Sequence, residues 1–440
     1  MKDTTYKNYL LTVLLIILAF NFVDRQILAL VLQDIKLDLD LSDSQLGFLS
    51  GIAFALFYSI MGIPIARWAD RGNRVTIISV TAALWSIMVA LCGFAGSFLQ
   101  LLLIRIGVAV GEAGCIPPAH SLIADYFTRA ERPRAVSIYM LGGSLSVVIG
   151  YFIGGWLNEF YGWRATFIIL GLPGLILAAL VWFTVREPRQ VKQNDDEATS
   201  GTPATVPASQ LPHPTLKEVF ATLWQKATFR HLLFAFAVVH FFGYGIALWM
   251  PAFFIRSHGM ETGELGTWFA LLWGLGGAVG VYIGGVLASR HAAHNEKLQL
   301  QVMAIVLAIF SVISIFIYLS PSKYVALALM GLSALIGGTI NGPLFATIQT
   351  LVHERMRAVS IALIYFIANL VGMGLGPLAA GILSDALAPA FGQESLRYSL
   401  VAFCPGYLWM AVHLWLAGKS VKADLAAVQE ESETTPSSKT

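Results

Sequence analysis

Charged residues are scarce in this chain. Only 12% of its 440 residues are Asp, Glu, Lys or Arg, whereas 57% are hydrophobic. A soluble domain of this length cannot bury so much apolar surface, because its exterior has to carry many polar groups. The shortage of charge therefore excludes an ordinary soluble protein and indicates one that lies in a lipid bilayer.

Cysteine pairs and nucleotide-binding motifs are missing as well. Cys92, Cys115 and Cys404 lie in apolar segments without metal-binding or CxxC spacing, so we expect no disulfide framework, no metal and no other cofactor. The sequence contains no phosphate-binding loop, dinucleotide fingerprint, GxSxG or HExxH motif. A net charge of +2 does not favour nucleic acid as a partner. We therefore expect an ion gradient or a cargo gradient, not ATP, as the energy source.

A long internal repeat is what the sequence does contain. The octapeptide ERPRAVSI at 131–138 returns as ERMRAVSI at 354–361, each ahead of an apolar, Gly-rich segment. The loop at 66–74, ARWADRGNR, corresponds likewise to GVLASR at 285–290. Self-similarity over such a distance in so apolar a chain is typical of a duplicated membrane domain.

Apolar segments of about 20 residues, the length that crosses a bilayer, predict twelve transmembrane helices. Six precede and six follow a polar, Pro-rich stretch, so the predicted fold is an all-α membrane protein of two pseudo-symmetric six-helix bundles. The predicted parts are an N-terminal bundle at 1–186, a cytoplasmic linker at 187–228, a C-terminal bundle at 229–418 and a cytoplasmic polar tail at 419–440. The predicted helices span residues 8–32, 43–66, 75–96, 99–127, 134–158, 164–185, 229–255, 263–289, 298–319, 323–349, 357–385 and 395–418.

The loops differ in positive charge. Of the 28 Lys and Arg residues, 21 lie on the side of the linker and both termini, five lie on the other side, and Arg25 and Arg105 fall inside helices. Cytoplasmic loops carry the excess of Lys and Arg in membrane proteins. We therefore expect a multi-pass, monomeric protein of the cytoplasmic membrane with both termini in the cytoplasm.

Four charged residues fall within the predicted first and fourth helices: Asp24, Arg25, Arg105 and Glu112. A charge at the bilayer centre costs about 2.5 to 3.5 kcal/mol, so this group is the main candidate site for proton coupling and substrate binding. Arg105 and Glu112 share one face, because seven residues turn a helix through about 700°. Protonation of Glu112 or Asp24 would release an arginine for an anionic headgroup. The alternative is an ion-pair network that only orients the two helices.

The second half places no Asp, Glu, Lys or Arg in mid-membrane. We predict that His240, Tyr244, Trp249, Asn341 and Asn369 form the wall of a substrate cavity. One charged wall and one apolar wall suit an amphipathic molecule better than a sugar, which needs many paired polar groups. The alternatives are packing against lipid or neighbouring helices for the aromatic residues, and a hydrogen-bonded core position for His240.

The loop after the second helix contains an acid among arginines. We predict that Asp70, Arg71 and Arg74 form a conformational latch, in which Asp70 meets an arginine or the N-terminus of a later helix. A cluster of cytoplasmic positive charge would explain the arginines but not Asp70. This loop resembles the signature GxLaDRxGRR of the major facilitator superfamily, with Ala66 where that family usually has Gly.

Two further runs, NFVDRQILALV at 21–31 and RIGVAVGEAG at 105–114, resemble more narrowly the spinster branch of that superfamily. The resemblance implies alternating access, in which two bundles rock about a cavity lined by the first and fourth helices. Arg25 would then pair with Glu112, and Asp24 would approach Arg105 or stand alone. Members of the branch are implicated in moving sphingolipids and lysolipids, and bacterial members in proton linkage.

We predict a secondary active transporter that couples protons to an amphipathic, lysolipid-like or sphingoid-like, or organic-anion cargo. Its partners would be this small-molecule or lipid substrate, protons and the bilayer. One alternative is a proton-linked symporter of small organic anions held by Arg25 and Arg105. A transporter-shaped receptor and a membrane-embedded enzyme are alternatives of other classes. An HxxxxD pair, His120 and Asp125, is the feature that favours an enzyme. The signal is weak, because five residues of helix place the two side chains about 140° apart.

Overall fold

The computed structural model describes residues 3–188, 216–291, 295–340, 344, 347–348, 351, 360, 364 and 366–434. Asn341 lies outside this part. The regular elements of the described residues are all helical, without a strand. Helices suit a chain this apolar, because they satisfy their own backbone hydrogen bonds where no water is available. The predicted all-α class is confirmed.

The described residues before the linker form seven helices. They are α1 (Asp3–Leu39), α2 (Asp43–Ser50), α3 (Ile52–Arg71), α4 (Arg74–Cys92), α5 (Phe98–Glu112), α6 (Ile116–Tyr126) and α7 (Arg132–Thr184).

The described residues after the linker form nine further α-helices and two π-helical turns. The α-helices are α8 (Leu216–Gln225), α9 (Ala227–His258), α10 (Thr262–Phe269), α11 (Gly276–His291), α12 (Glu296–Leu319), α13 (Lys323–Gly338), α14 (Gly376–Phe391), α15 (Ser395–Phe403) and α16 (Pro405–Thr434). The π-helical turns are Ala270–Leu275 and Asn369–Leu375. Because α16 continues to Thr434, much of the predicted polar tail is helical.

Nine stretches of the described residues are long and apolar enough to cross a membrane. Two of them, Arg132–Thr184 with 53 residues and Phe366–Ala427 with 62, have the length for two crossings of about 20 residues each. Gly162 interrupts the first of these with φ 76° and ψ 166°, a backbone conformation that residues with a side chain rarely adopt. This break lies between the fifth and sixth helices predicted from the sequence.

The chain divides into two compact units. The first comprises Met1–Gln210 and Phe254–Gly274, and the second comprises Leu211–Phe253 and Leu275–Thr440. The segment Phe254–Gly274, which the sequence placed in the C-terminal bundle, therefore groups with the first unit in this structure.

Close backbone packing explains why the segment Phe254–Gly274 groups with the first unit. A Cβ atom on Gly266 of α10 would collide with the carbonyl oxygen of Tyr151 in α7. The Thr262 hydroxyl donates to the Gly155 carbonyl at 3.1 Å, and the Gly263 amide donates to Glu159 at 2.7 Å. The GYFIGG run at 150–155 thus lets helix backbones approach closely, as small residues do in membranes.

Glycines also fix the helices that carry the candidate site. Gly150 of α7 lies against Gln26 and Val23 of α1, where an added Cβ would be 2.7 Å from the Gln26 Cβ. Gly111 of α5 lies against the backbone of Trp85 in α4, with an added Cβ 2.6 Å from its nitrogen. These contacts hold α1 and α5 inside the first unit.

Candidate functional site

Two ion pairs join α1 to α5 inside the first unit. Arg105 Nη1 donates to Asp24 Oδ2 at 2.5 Å. Arg25 donates to Glu112 Oε2 from Nε at 3.0 Å and from Nη2 at 2.6 Å. We call Asp24, Arg25, Arg105 and Glu112 the charge cluster. The structure thus brings together all four charged residues that the sequence singled out.

Burial differs within the charge cluster. Asp24, Arg105 and Glu112 are 2%, 1% and 0% exposed, respectively. The Arg25 side chain is 24% exposed, so it connects the cluster to its surroundings. The sequence led us to expect that Arg105 and Glu112 face an open cavity. In this structure both side chains are buried.

Aromatic side chains surround the arginines. The Arg25 guanidinium carbon lies 4.7 Å from the ring centre of Phe22, 4.8 Å from that of Phe54 and 5.1 Å from that of Tyr58. The Phe54 ring is also 5.2 Å from the Arg105 guanidinium carbon. Such contacts stabilise cations in an apolar setting. Sequence reasoning missed Phe54 and Tyr58, because aromatic residues are ordinary in membrane helices and only the packing of α3 selects these two.

The two carboxyl groups of the charge cluster each have one oxygen outside the ion pairs. Asp24 Oδ1 and Glu112 Oε1 are buried and have no hydrogen-bond donor among the described residues. An ionised carboxylate can only accept hydrogen bonds, so neither acid can serve as a donor to the other while both are ionised. One proton between them would supply the donor, and it would change the formal charge of the two arginines and two acids from zero to +1.

The predicted cavity wall divides into different environments. His240 Nδ1 lies 2.8 Å from the Phe236 carbonyl, and the two rings stack at 5.6 Å. His240 is therefore hydrogen-bonded but only half-buried, so its role in the cavity wall stays a prediction. Tyr244, one turn later, is 37% exposed and lies 5.7 Å from the His240 ring.

Trp249 has a packing role. It is fully buried, and its indole donates to the Pro377 carbonyl at 2.9 Å, which joins α9 to α14. This corrects the prediction that Trp249 lines a cavity, because an enclosed indole offers no surface to cargo. Asn369 begins the π-helical turn Asn369–Leu375. Such turns are frequent at functional sites, so its role in the wall stays a prediction.

The structure describes the side chains of two of the three residues of the predicted latch, Arg71 and Arg74. Arg74 is fully buried; its guanidinium pairs with Glu187 and, at 2.7 Å, with Asp125, and it donates to the Ser121 hydroxyl at 2.9 Å. Arg74 therefore fastens the start of α4 to the chain after α7, within one unit. Arg71 is exposed at the end of α3. The side chain of Asp70 lies outside the described part, so its latch role stays a prediction.

The contacts of Asp125 and His120 argue against a catalytic role for this HxxxxD pair. Asp125 binds Arg74, whereas the His120 ring packs edge-on against Tyr139 at 5.3 Å. An acid that orients a catalytic histidine has to bind that histidine, and Asp125 is engaged elsewhere.

The repeated octapeptide begins with a capped turn. Glu131 accepts hydrogen bonds from the Thr128 amide at 2.9 Å and the Thr128 hydroxyl at 3.0 Å, and these bonds lower the pKa of Glu131. Lys7 lies 3.6 Å from the same carboxylate. Its copy, Glu354, lies outside the described residues.

A second polar cluster lies in the first unit at the point where α1 ends and α2 begins. Arg256 donates to both oxygens of Asp43 at 2.7 and 2.8 Å and to Gln33 at 2.5 Å. Lys36 lies 2.6 Å from Asp43, which is 1% exposed. We call Gln33, Lys36, Asp43 and Arg256 the far-side clamp. Sequence reasoning missed it, because single charges beside loops are common.

Ionisable residues paired among membrane-spanning helices mark substrate or ion pathways, as in polytopic transporters. The model of the Major Facilitator Superfamily matches residues 14–377, and the chain belongs to that superfamily. The chain is therefore an alternating-access transporter and not an enzyme.

Relatives agree with this assignment. The crystal structure of a bacterial homologue of the human lysosomal transporter spinster, inward-facing and unoccupied, matches with TM-score 0.82 and 31% identity over 95% of this chain and 98% of that one. An MFS-type efflux pump of Mycolicibacterium smegmatis is 31% identical over 94% of this chain and 93% of its own. The hexuronate transporter of Bacillus subtilis is 25% identical over 90% and 93%. The resemblance to the spinster branch is confirmed.

The charge cluster generates a prediction for stability. Arg105→Leu leaves Asp24 buried without its partner, so we expect it to lower the free energy of unfolding by about 3 to 5 kcal/mol. Replacing both residues by Leu should recover most of this loss. Thermal unfolding in detergent measures the difference.

The matched control is Arg164→Leu, which breaks an exposed pair with Asp38, where the side chains are 40% and 45% exposed. We expect that change to cost at most about 1 kcal/mol. Equal losses for Arg105→Leu and Arg164→Leu would contradict a buried, mutually dependent pair.

Proposed function

We propose that the protein couples proton movement to cargo movement through the charge cluster. The observation that carries the proposal is the pair of buried carboxyl groups, each with one oxygen that has no donor among the described residues. A proton bound between Asp24 and Glu112 gives both oxygens a partner. It also leaves the two arginines with more positive charge than the acids neutralise.

Arg25 is the residue through which this charge reaches the cargo. It is the one member of the charge cluster with substantial exposure. Its partner is Glu112, and a proton on Glu112 weakens their ion pair. When the proton binds, Arg25 becomes available to an anionic group. When the proton leaves, Glu112 takes Arg25 back and the anion is released, so the two binding events favour each other.

The surroundings of Arg25 favour an amphipathic anion as cargo. Phe22, Phe54 and Tyr58 form an apolar surface around the guanidinium, which suits a charged headgroup followed by a hydrocarbon chain. The likeness to a spinster homologue supports this class. Small organic anions are the second candidate, supported by the likeness to a hexuronate transporter.

We also propose that the linker side faces the cytoplasm and that the chain acts as a monomer in the cytoplasmic membrane. The surplus of Lys and Arg on that side supports the orientation. The division into twelve spans and two six-helix bundles, with its boundaries near residues 186 and 229, belongs to the same proposal.

The far-side clamp is a buried contact within the first unit. Asp43 belongs to α2, and Arg256 lies near the end of α9, in the part of that helix that belongs to the first unit. Any motion that draws the end of α9 away from α2 separates this buried pair. We infer that the clamp holds the far side closed and that its rupture opens it.

Transport in liposomes tests the coupling. We expect wild type to move lysophosphatidylglycerol when a pH gradient is imposed, and Glu112→Gln and Asp24→Asn to lose gradient-driven transport, because neither variant can share a proton between two acids. Asp38→Asn, which changes an exposed acid of the first unit, is the control and should transport normally. Full gradient-driven transport by both cluster variants would end the coupling proposal. Transport of glucuronate but not of lysophosphatidylglycerol would favour the second candidate.

Thiol labelling tests the far-side clamp. Met260 is 2% exposed and follows α9, so a cysteine there should be protected while the clamp is closed. In a background without native cysteines, we expect Arg256→Gln to raise the labelling rate of Met260→Cys by a membrane-impermeant reagent severalfold. Arg164→Gln is the control, because it removes an arginine outside the clamp. Unchanged labelling after Arg256→Gln would contradict a closing role.

A further inference from the structure

Asn21 of α1 carries a buried side-chain amide that takes no part in the two ion pairs of the charge cluster. It is 0% exposed, and neither its Oδ1 nor its Nδ2 has a hydrogen-bond partner among the described residues. A buried polar group without a partner costs about 1 to 3 kcal/mol, so nearly all such groups in proteins are paired with protein, water or an ion. An amide with both ends unpaired therefore points to a bound species beside it.

Helix geometry places Asn21 on the face of the charge cluster. It precedes Asp24 by three residues and Arg25 by four, which are separations of about 60° and 40° around α1. The opposite face of α1 packs on α7, where Val23 and Gln26 meet Gly150. Those two residues lie about 160° and 140° from Asn21, so the amide points away from α7 and toward the side that holds the ion pairs.

The charge cluster has hydrogen-bonding atoms of both kinds without a partner. While no proton is bound between the two acids, Asp24 Oδ1 and Glu112 Oε1 are acceptors without a donor, and Arg105 Nε is a donor without an acceptor among the described residues. With the two amide atoms of Asn21, these make three buried acceptors and two buried donors.

The combination of unpaired donors and unpaired acceptors determines which species can bind there. A metal cation would satisfy the three oxygens but would be repelled by the N–H groups and by both arginines. An anion would satisfy the donors but not the oxygens. Water donates two hydrogen bonds and accepts two, so it fits both kinds of atom.

We propose that Asn21 anchors a buried water site that passes protons to and from the Asp24 and Glu112 pair. The inference rests on the proposed function. Asn21 is a positioning residue: its amide both donates and accepts, so it holds water in either orientation, and it does not bind the transported proton itself. The need for such a site follows from burial, because three members of the charge cluster are at most 2% exposed.

Two transport modes separate this role from a purely structural one. Exchange of lysophosphatidylglycerol between two sides at equal pH needs no net proton release, whereas gradient-driven transport does. We expect Asn21→Leu, which keeps the size but removes the polar atoms, to slow gradient-driven transport about tenfold, equivalent to roughly 1.4 kcal/mol in the barrier. Exchange should stay close to wild type, and Asn21→Ser, which retains a donor and an acceptor, should restore much of the lost rate.

Ser333→Ala is the matched control, because Ser333 is also buried with no partner for its hydroxyl among the described residues, but lies in α13 of the second unit. It should leave both modes unchanged. Equal loss of exchange and gradient-driven transport in Asn21→Leu would assign Asn21 to structure or cargo and overturn the proposal, as would wild-type rates in both modes.

A structure determined at a resolution that shows water gives a readout independent of transport. We expect density for a water within hydrogen-bonding distance of the Asn21 amide in wild type and none in Asn21→Leu. If wild type shows no pH-driven transport but this water is present, the proposed function fails and the site stands without its proton role. A sodium ion or no density at this position would overturn the water site itself.

Discussion

The pairing of two acids with two arginines in an apolar interior is the constraint on which the rest of this structure depends. Each charge would be costly on its own, and each pair repays that cost only while its geometry is kept. Because Asp24 and Arg25 are neighbours on α1 and their partners both lie on α5, neither helix can shift without disturbing both pairs. The packing of the first unit and its protonation are therefore linked.

Burial makes the ion-pair network respond strongly to a proton, but it also separates the network from water. An exposed pair would be screened by water and would respond weakly to one proton, whereas a buried pair responds strongly. The same burial leaves three of the four residues almost without contact with solvent. Arg25 on the cargo side and the water anchored by Asn21 on the proton side resolve this conflict in our account. The far-side clamp uses the same physics, since Asp43 is also buried and paired.

The sequence predicted those features that depend on helix geometry alone. The spacing of Arg105 and Glu112 fixed their common face, and the polar break near Gly162 separated two spans that the structure joins in α7. The family resemblance supplied the pairs of Arg25 with Glu112 and of Asp24 with Arg105. Other contacts between distant segments could not be predicted, because periodicity assigns a face but not a partner. Arg74 binds Glu187 and Asp125, two partners that its motif did not suggest, and the Trp249 indole donates to the Pro377 carbonyl. The clamp between Asp43 and Arg256 depends on where α9 ends, which hydropathy does not reveal.

Infrared difference spectroscopy across a pH titration tests the central claim most directly. A proton shared by Asp24 and Glu112 should give one carboxylic C=O band in wild type that disappears or shifts in Asp24→Asn and in Glu112→Gln alike, and that is unchanged in Asp38→Asn. A band that depends on one acid alone, or that survives in both variants, would contradict the shared proton.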